Sequence, residues 1–462
     1  MSQPSNHRNA QSRPNVVVFF TDQQRWDSTG VHGNPLGLTP NFDRVAKSGT
    51  HCFNTYTCQP VCGPARASLQ TGLYATNAGV PINGPAIREG CHTLGEYFAD
   101  AGYHTGYIGK WHLSSSGCEA VPPEHRKGYQ YWLGSNCLEF TGDSYFTVLY
   151  DADGKSVELP GYRVDAVADA GIRYMADHKA EPFFLMMSFI EPHFQNHRDD
   201  YPAPLGYEEM YTGRWTPPDL ATLGGTAARH LGGYWGMVKR LDEAYGRVMD
   251  ALISLGLEKN TIVVFTTDHA CHFKTRNSEY KRSCHESSTR IPLAFTGGEF
   301  TGGGEIRDLV SLVDLPPTLL DAAGIEVPDE MEGHSIMPLV RREKAERPDD
   351  VFIQLSEDIA GRAIRHGRWK YSVRHLNDED RRNPSPTLYQ EDFLYDLYAD
   401  PYELDNRIGC SSLAEVTAKL RERLKNRIKA VEGVDVEIRE APEYPCDQRY
   451  HANLRPFDQW RM

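Results

Sequence analysis

Four short apolar runs, at residues 15–21, 103–109, 183–190 and 261–267, are hydrophobic along nearly their whole length instead of on alternate positions. That is the pattern of inner strands covered on both faces. Each run delivers polar or ionisable residues where it ends: Asp22 and Gln23, Lys110 and His112, His193, and Asp268 and His269. Between the runs, residues 93–101 and 234–255 repeat apolar positions every three or four, which predicts amphipathic helices. Strands alternating with helices predict an α/β fold whose ligands gather at the carboxyl ends of the strands.

The pattern changes across the charged run at 341–350, where we place a boundary between a large α/β domain at 15–345 and a smaller α+β subdomain at 346–440. Beyond it, residues 351–355, 362–373 and 393–397 alternate like antiparallel strands, and 413–431 has the spacing of an amphipathic helix. Residues 1–14 are polar and contain two prolines, the composition of a flexible tail; residues 441–462, rich in Pro, Tyr and Arg, carry no period and read as an extended tail.

Composition narrows the function. A net charge of −14 repels polyphosphate and argues against a nucleic-acid partner. No apolar run approaches the roughly 20 residues of a membrane span, so no membrane insertion is expected. The first residues hold no apolar core of a secretory signal, which predicts a cytoplasmic protein, or a periplasmic one were the start truncated. Ten scattered cysteines lack the density of a disulfide framework and are expected to be mostly reduced and buried.

The chemistry concentrates in the segment from Pro60 to Gly72. Pro64 suits a first helical turn, which places Cys62 just before a helix N-terminus, facing free amides and the positive end of the helix dipole. The pairs Asp22–Gln23 and Asp268–His269 stand at two strand ends as candidate metal ligands; hard oxygen donors of this kind suit Ca²⁺ or Mg²⁺. Lys110 and His112 lie two apart, so on an extended segment both point to one side and Trp111 points into the packing.

The Cys62-x-Pro64-x-Arg66 core with Thr71-Gly72 resembles the signature of type I sulfatases, of the alkaline-phosphatase-like superfamily. Further segments resemble family landmarks in the family's order, among them Thr39-Pro40-Asn41, Gly109-Lys110-Trp111-His112, Pro192-His193, Thr267-Asp268-His269, Arg290-Ile291-Pro292 and Tyr395-Asp396-Leu397-Tyr398. The resemblance runs from about residue 14 to about 408.

It implies a large mixed, mostly parallel sheet flanked by helices, with a C-terminal antiparallel subdomain. It implies a Cys62 oxidised to formylglycine by a maturation enzyme, and an aldehyde hydrate that attacks a sulfate ester. The implied cation is held by Asp22, Gln23, Asp268, His269 and residue 62. Calcium is expected, with magnesium or manganese left open, because Gln23 stands where many relatives have Asp and His269 where they have Asn. Arg66 adds positive charge, Lys110 contacts sulfate, His112 takes a proton from the hydrate, and His193 and Lys281 help protonate the leaving alcohol. Asn83, His197 with Arg198, His272 and Arg276 are candidates to hydrogen-bond sugar hydroxyls or a second acidic group. The expected substrate is a sulfated small molecule or oligosaccharide. A phosphonate monoester or phosphodiester hydrolase is the alternative, disfavoured by the Lys110/His112 pair, and a non-catalytic binding protein is the third reading. The oligomeric state stays open.

Overall fold

A computed structural model describes residues 13–443 apart from 345 and 378. The expected tails at 1–14 and 441–462 lie almost wholly outside the described residues. The central strand, Asn15–Thr21, is buried at all seven positions and pairs in parallel with Thr261–Thr267 on one side and Phe183–Ser188 on the other. Its side chains alternate between two cores: Val16, Val18 and Phe20 enter one, Val17 and Phe19 the other. Burial on both faces is why the run has no polar alternation.

Outward from the centre, the sheet continues through His104–Lys110 and Tyr131–Ser135 on one flank. On the other lie Ala294–Thr296, which runs antiparallel, then Thr50–Tyr56 and Gly304–Ser311. The helix Ala227–Ser254 covers one face through Leu241, Ala244, Tyr245, Val248 and Leu252. It starts earlier than the expected 234, because apolar and glycine positions from Ala227 onward are also buried. The helix Cys62–Thr71 lies on the other face with Ala65, Ala67 and Leu69 in its core. Gly109 has φ 108°, and a Cβ there would stand 1.9 Å from the Ser188 carbonyl oxygen, so only glycine lets these neighbouring strands meet just before Lys110.

The C-terminal sheet has four antiparallel strands, Asp350–Leu355, Gly361–His366, Trp369–His375 and Leu388–Asp396, with short Glu437–Arg439 added in parallel. The single strand expected over 362–373 is a hairpin: Gly367, at φ 55°, turns the chain inside the run. The helix Ala414–Glu432 buries Leu420, Leu424 and Ile428 against this sheet, in a core that also takes Tyr74 and Val313 from the larger unit. Among the described residues no helix is long and apolar enough to cross a membrane. Cys52, Cys58, Cys62, Cys91, Cys271 and Cys284 are buried free thiols, Cys137 is half-buried, Cys118 is exposed, and Cys410 is disulfide-bonded.

Candidate active site

Cys62 is the first residue of its helix and not, as expected, the residue before it; extended Val61 is the N-cap and Pro64 occupies the third position. One of the amides that end leaves unpaired is already taken, since the Gly63 N–H donates to Asn83 Oδ1 at 2.8 Å. The Asn83 N–H in turn donates to Glu357 Oε1 at 2.7 Å. Asn83 therefore caps the nucleophile's helix through its Oδ1.

The Cys62 sulfur is the point on which the ends of several elements converge. Lys281 Nζ is 2.8 Å away, His269 Nε2 3.2 Å, Asp22 Oδ1 3.7 Å and Lys110 Nζ 3.8 Å. Burial pushes this thiol up, but Lys110, Lys281, His269 and the neighbouring His112 together hold it well below the ordinary cysteine range. Lys281 Nζ also donates to His193 Nε2 at 3.1 Å. The other ring nitrogen of His193 donates to the Phe194 carbonyl at 2.7 Å, which fixes the tautomer and leaves Nε2 as the acceptor.

Beneath the sulfur lies a carboxylate and guanidinium lattice. Arg66 donates to Asp22 Oδ2 at 2.9 Å, to Asp268 Oδ2 at 3.2 Å, and to Ser188 Oγ and the Lys110 carbonyl. Asp22, buried and repelled by Cys62, is nonetheless drawn below the carboxylate range by Lys110, His193 and Arg66. Asp268 goes the other way, pushed up to about 6 by burial and by the charge of Asp22.

Ligand atoms of Asp22, Cys62, Asp268 and His269 lie within 4.8 Å of one another. His269 donates from Nδ1 to the Ala270 carbonyl at 3.0 Å, so Nε2 presents its lone pair to the cluster. Gln23, held at φ 69°, donates from Nε2 to Tyr201 Oη at 3.2 Å, while its buried Oε1 has no hydrogen-bond partner. Two aspartates packed together, an orphaned amide oxygen and a correctly oriented imidazole fit a divalent cation.

His112 leaves the strand with φ 62°, so it does not continue the extended segment that would align it with Lys110. It still reaches the site, where its Nδ1 stands 3.7 Å from Glu139 Oε1. Glu139 is buried, lies 3.2 Å from Lys110 Nζ, and was not foreseen: it belongs to a one-turn helix, Leu138–Thr141, with no strand-end signature. Ser188 was missed although it ends a recognised strand.

Of the candidate sugar contacts, His272 and Arg276 have donors engaged within the protein, whereas His197 and Arg198 remain exposed. His272 is fully buried and donates to the Lys281 carbonyl at 3.0 Å, holding the backbone of that lysine. Arg276 donates to the carbonyls of Tyr402 and Glu403, joining the two sheets. His197 and Arg198 stay at an open rim, paired with Asp143, beside Gln195, whose amide donates to the Glu139 carbonyl.

A strand-end site ringed by lysines, arginine and histidine is built to draw in an oxyanion. At the strand ends of a sheet covered on both faces, that defines a hydrolase of anionic esters with alkaline-phosphatase-like architecture. The chain belongs to the sulfatase family: the family model Sulfatase matches residues 14–325, and the model N-sulphoglucosamine sulphohydrolase, C-terminal, matches residues 279–430. It is a sulfuric ester hydrolase.

An ulvan-active sulfatase of Formosa agariphila is 29% identical over 89% of this chain and 81% of its own length. An uncharacterized sulfatase of Escherichia coli is 30% identical over 89% of this chain and 86% of its own. A solved structure in complex with its substrate D-glucosamine-2-N,6-O-disulfate superposes with TM-score 0.75 at 23% identity, covering 92% of this chain and 99% of that one.

Proposed function

We propose that this sulfatase releases inorganic sulfate from a sulfated carbohydrate, with residue 62 matured to formylglycine and a divalent cation, calcium foremost, at Asp22, Gln23, Asp268 and His269. The observation that carries the reading is the convergence of Lys281, Lys110, His269 and Asp22 on the Cys62 sulfur. The ulvan-active relative supports the carbohydrate part.

Oxidised to formylglycine, residue 62 supplies a hydrated aldehyde, one hydroxyl for attack at sulfur and a second whose deprotonation lets sulfate leave. The cation, when bound, polarises sulfate oxygen and balances Asp22 and Asp268. The chain's own residues do the rest. Lys110, Lys281 and Arg66 surround the place where charge develops on the sulfate oxygens, and they are preorganised by buried partners, so little reorganisation accompanies the reaction. His112 receives the hydroxyl proton. His193, its Nδ1 proton committed to a carbonyl, carries a proton on Nε2 from Lys281 toward the leaving alcohol.

The test is peptide mass spectrometry across residue 62 of protein co-produced with a formylglycine-generating enzyme, with sulfate and phosphate release measured on the same sample. Formylglycine at 62 with sulfate release far above phosphate release is expected on sulfated sugars. Faster phosphodiester cleavage by the converted protein overturns the substrate class, and an unconverted cysteine overturns the nucleophile.

A further inference from the structure

Outside the reaction centre, two other cysteines meet where the loop that follows His112 folds back on the segment leading into Glu139. The Asn136 side chain pins this contact. Its Nδ2 donates to the Ser114 carbonyl at 2.9 Å and the Gly117 carbonyl at 2.7 Å, and its Oδ1 accepts from the Ser114 N–H at 3.1 Å. Gly117, at φ 60°, turns the chain so that Cys118 follows directly. The Cys137 Sγ sits 3.3 Å from the carbonyl of Gly117, the residue directly before Cys118, and both sulfurs are free. Cys118 is exposed and Cys137 half-buried, so one thiol of the pair is open to solvent and the other stands behind it.

We propose that Cys118 and Cys137 are a modification site, a dithiol that closes to a disulfide on meeting a glutathione-class disulfide and thereby staples the loop after His112 to the segment carrying Glu139. The order of events follows from exposure. The Cys118 thiolate attacks one sulfur of the small disulfide, the S–S bond breaks and one small thiolate leaves. Cys137 then gives its proton to solvent, attacks the Cys118 sulfur and expels the second small thiolate. Two protein thiols are oxidised and one small disulfide is reduced to two thiols, so electrons balance.

Burial, with the charges of Glu139 and Cys118 beside it, pushes the Cys137 thiol up to about 12. That suits a resolving thiol, inert until Cys118 carries the small thiol against it. Cys137 lies two residues before Glu139, whose carboxylate is 3.2 Å from Lys110 Nζ, so the disulfide would close beside the reaction centre.

The experiment incubates the whole protein in oxidised glutathione, quenches free thiols with an alkylating agent and maps peptides without reduction. A peptide joining 118 to 137 with the loss of two hydrogens, reversed by dithiothreitol, is expected as the main product. In Cys137→Ser the glutathione adduct should persist on Cys118, and in Cys118→Ser residue 137 should stay unmodified until the protein is denatured. A wild-type map showing stable glutathione on Cys118 and a free Cys137, or separate adducts on each, overturns the proposal. None of these outcomes depends on sulfatase turnover.

Discussion

At the joint between the two sheets Lys370 is as completely buried as Lys110 is at the strand ends, both 0% exposed, and each lysine bridges two carboxylates. Lys370 Nζ lies 2.6 Å from Glu286 and 2.9 Å from Glu403; Lys110 Nζ lies 2.8 Å from Asp22 and 3.2 Å from Glu139. The joint cluster turns inward. Glu403 accepts the Glu286 N–H at 2.6 Å, and Glu286 accepts from Tyr56 Oη at 3.1 Å. The strand-end cluster instead points at one sulfur and adds Lys281, Arg66 and His193 around it. Buried ion pairs alone therefore do not mark a reactive centre; convergence on a single nucleophilic atom does.

Removing each lysine separates the two designs. Lys370→Met leaves Glu286 and Glu403 buried without their shared cation and should cost about 3–5 kcal/mol of stability in urea unfolding. Sulfate release per folded molecule should stay within about twofold of wild type. A loss of turnover with an unmoved urea midpoint would place the joint within the reaction machinery and erase the distinction.

Lys281→Met should do the reverse, lowering kcat by about 10²–10³-fold, the scale of losing one preorganised charge at a developing oxyanion. The unfolding midpoint should hold, because among the described residues Lys281 pairs with no carboxylate whose charge its loss would strand, its partners being residue 62 and His193. Steady-state kinetics on the matured protein, corrected for folded fraction, decides it; a kcat loss that merely tracks unfolding would make Lys281 structural.

The two clusters also differ in how far they were legible beforehand. The strand-end ligands were visible because fully apolar runs terminate in ionisable residues, and the ordered landmarks around Cys62, Lys110 and Asp268 marked which ends matter. Glu139 was not, because a one-turn helix leaves no periodic trace and its partners are distant in sequence. His272 and Arg276 misled for the same reason in reverse. Polar residues in a loop next to Lys281 look exposed, and only the fold shows them spending their donors on the carbonyls of Lys281, Tyr402 and Glu403. The joint cluster was invisible: Glu286, Lys370 and Glu403 come from three segments that touch only once the second sheet has docked. The hairpin at Gly367 escaped because a lone glycine inside an apolar run also suits a continuous strand.

The finest test of the comparison is the pH dependence of the joint. Burial pushes the Glu403 carboxyl up to about 7, because Lys370 is shared with Glu286 and that second carboxylate repels it. Glu286 moves down, since burial is outweighed by Lys370, Arg290 and Arg365. Between the ordinary glutamate value, about 4.3, and 7 the folded protein therefore keeps a proton on Glu403 that the unfolded chain has released. More protons bound in the folded state means that stability falls as pH rises through this window and levels off above it. Glu286, with a lowered value, changes stability only at more acidic pH, so the window from pH 5 to 8 isolates Glu403 once the variant is subtracted from wild type. Glu403→Gln should remove a decline on the order of 1–3 kcal/mol across that range, read from urea midpoints at each pH. If wild type and variant run parallel from pH 5 to 8, Glu403 is already ionised throughout, and Lys370 satisfies both carboxylates as fully as Lys110 satisfies Asp22.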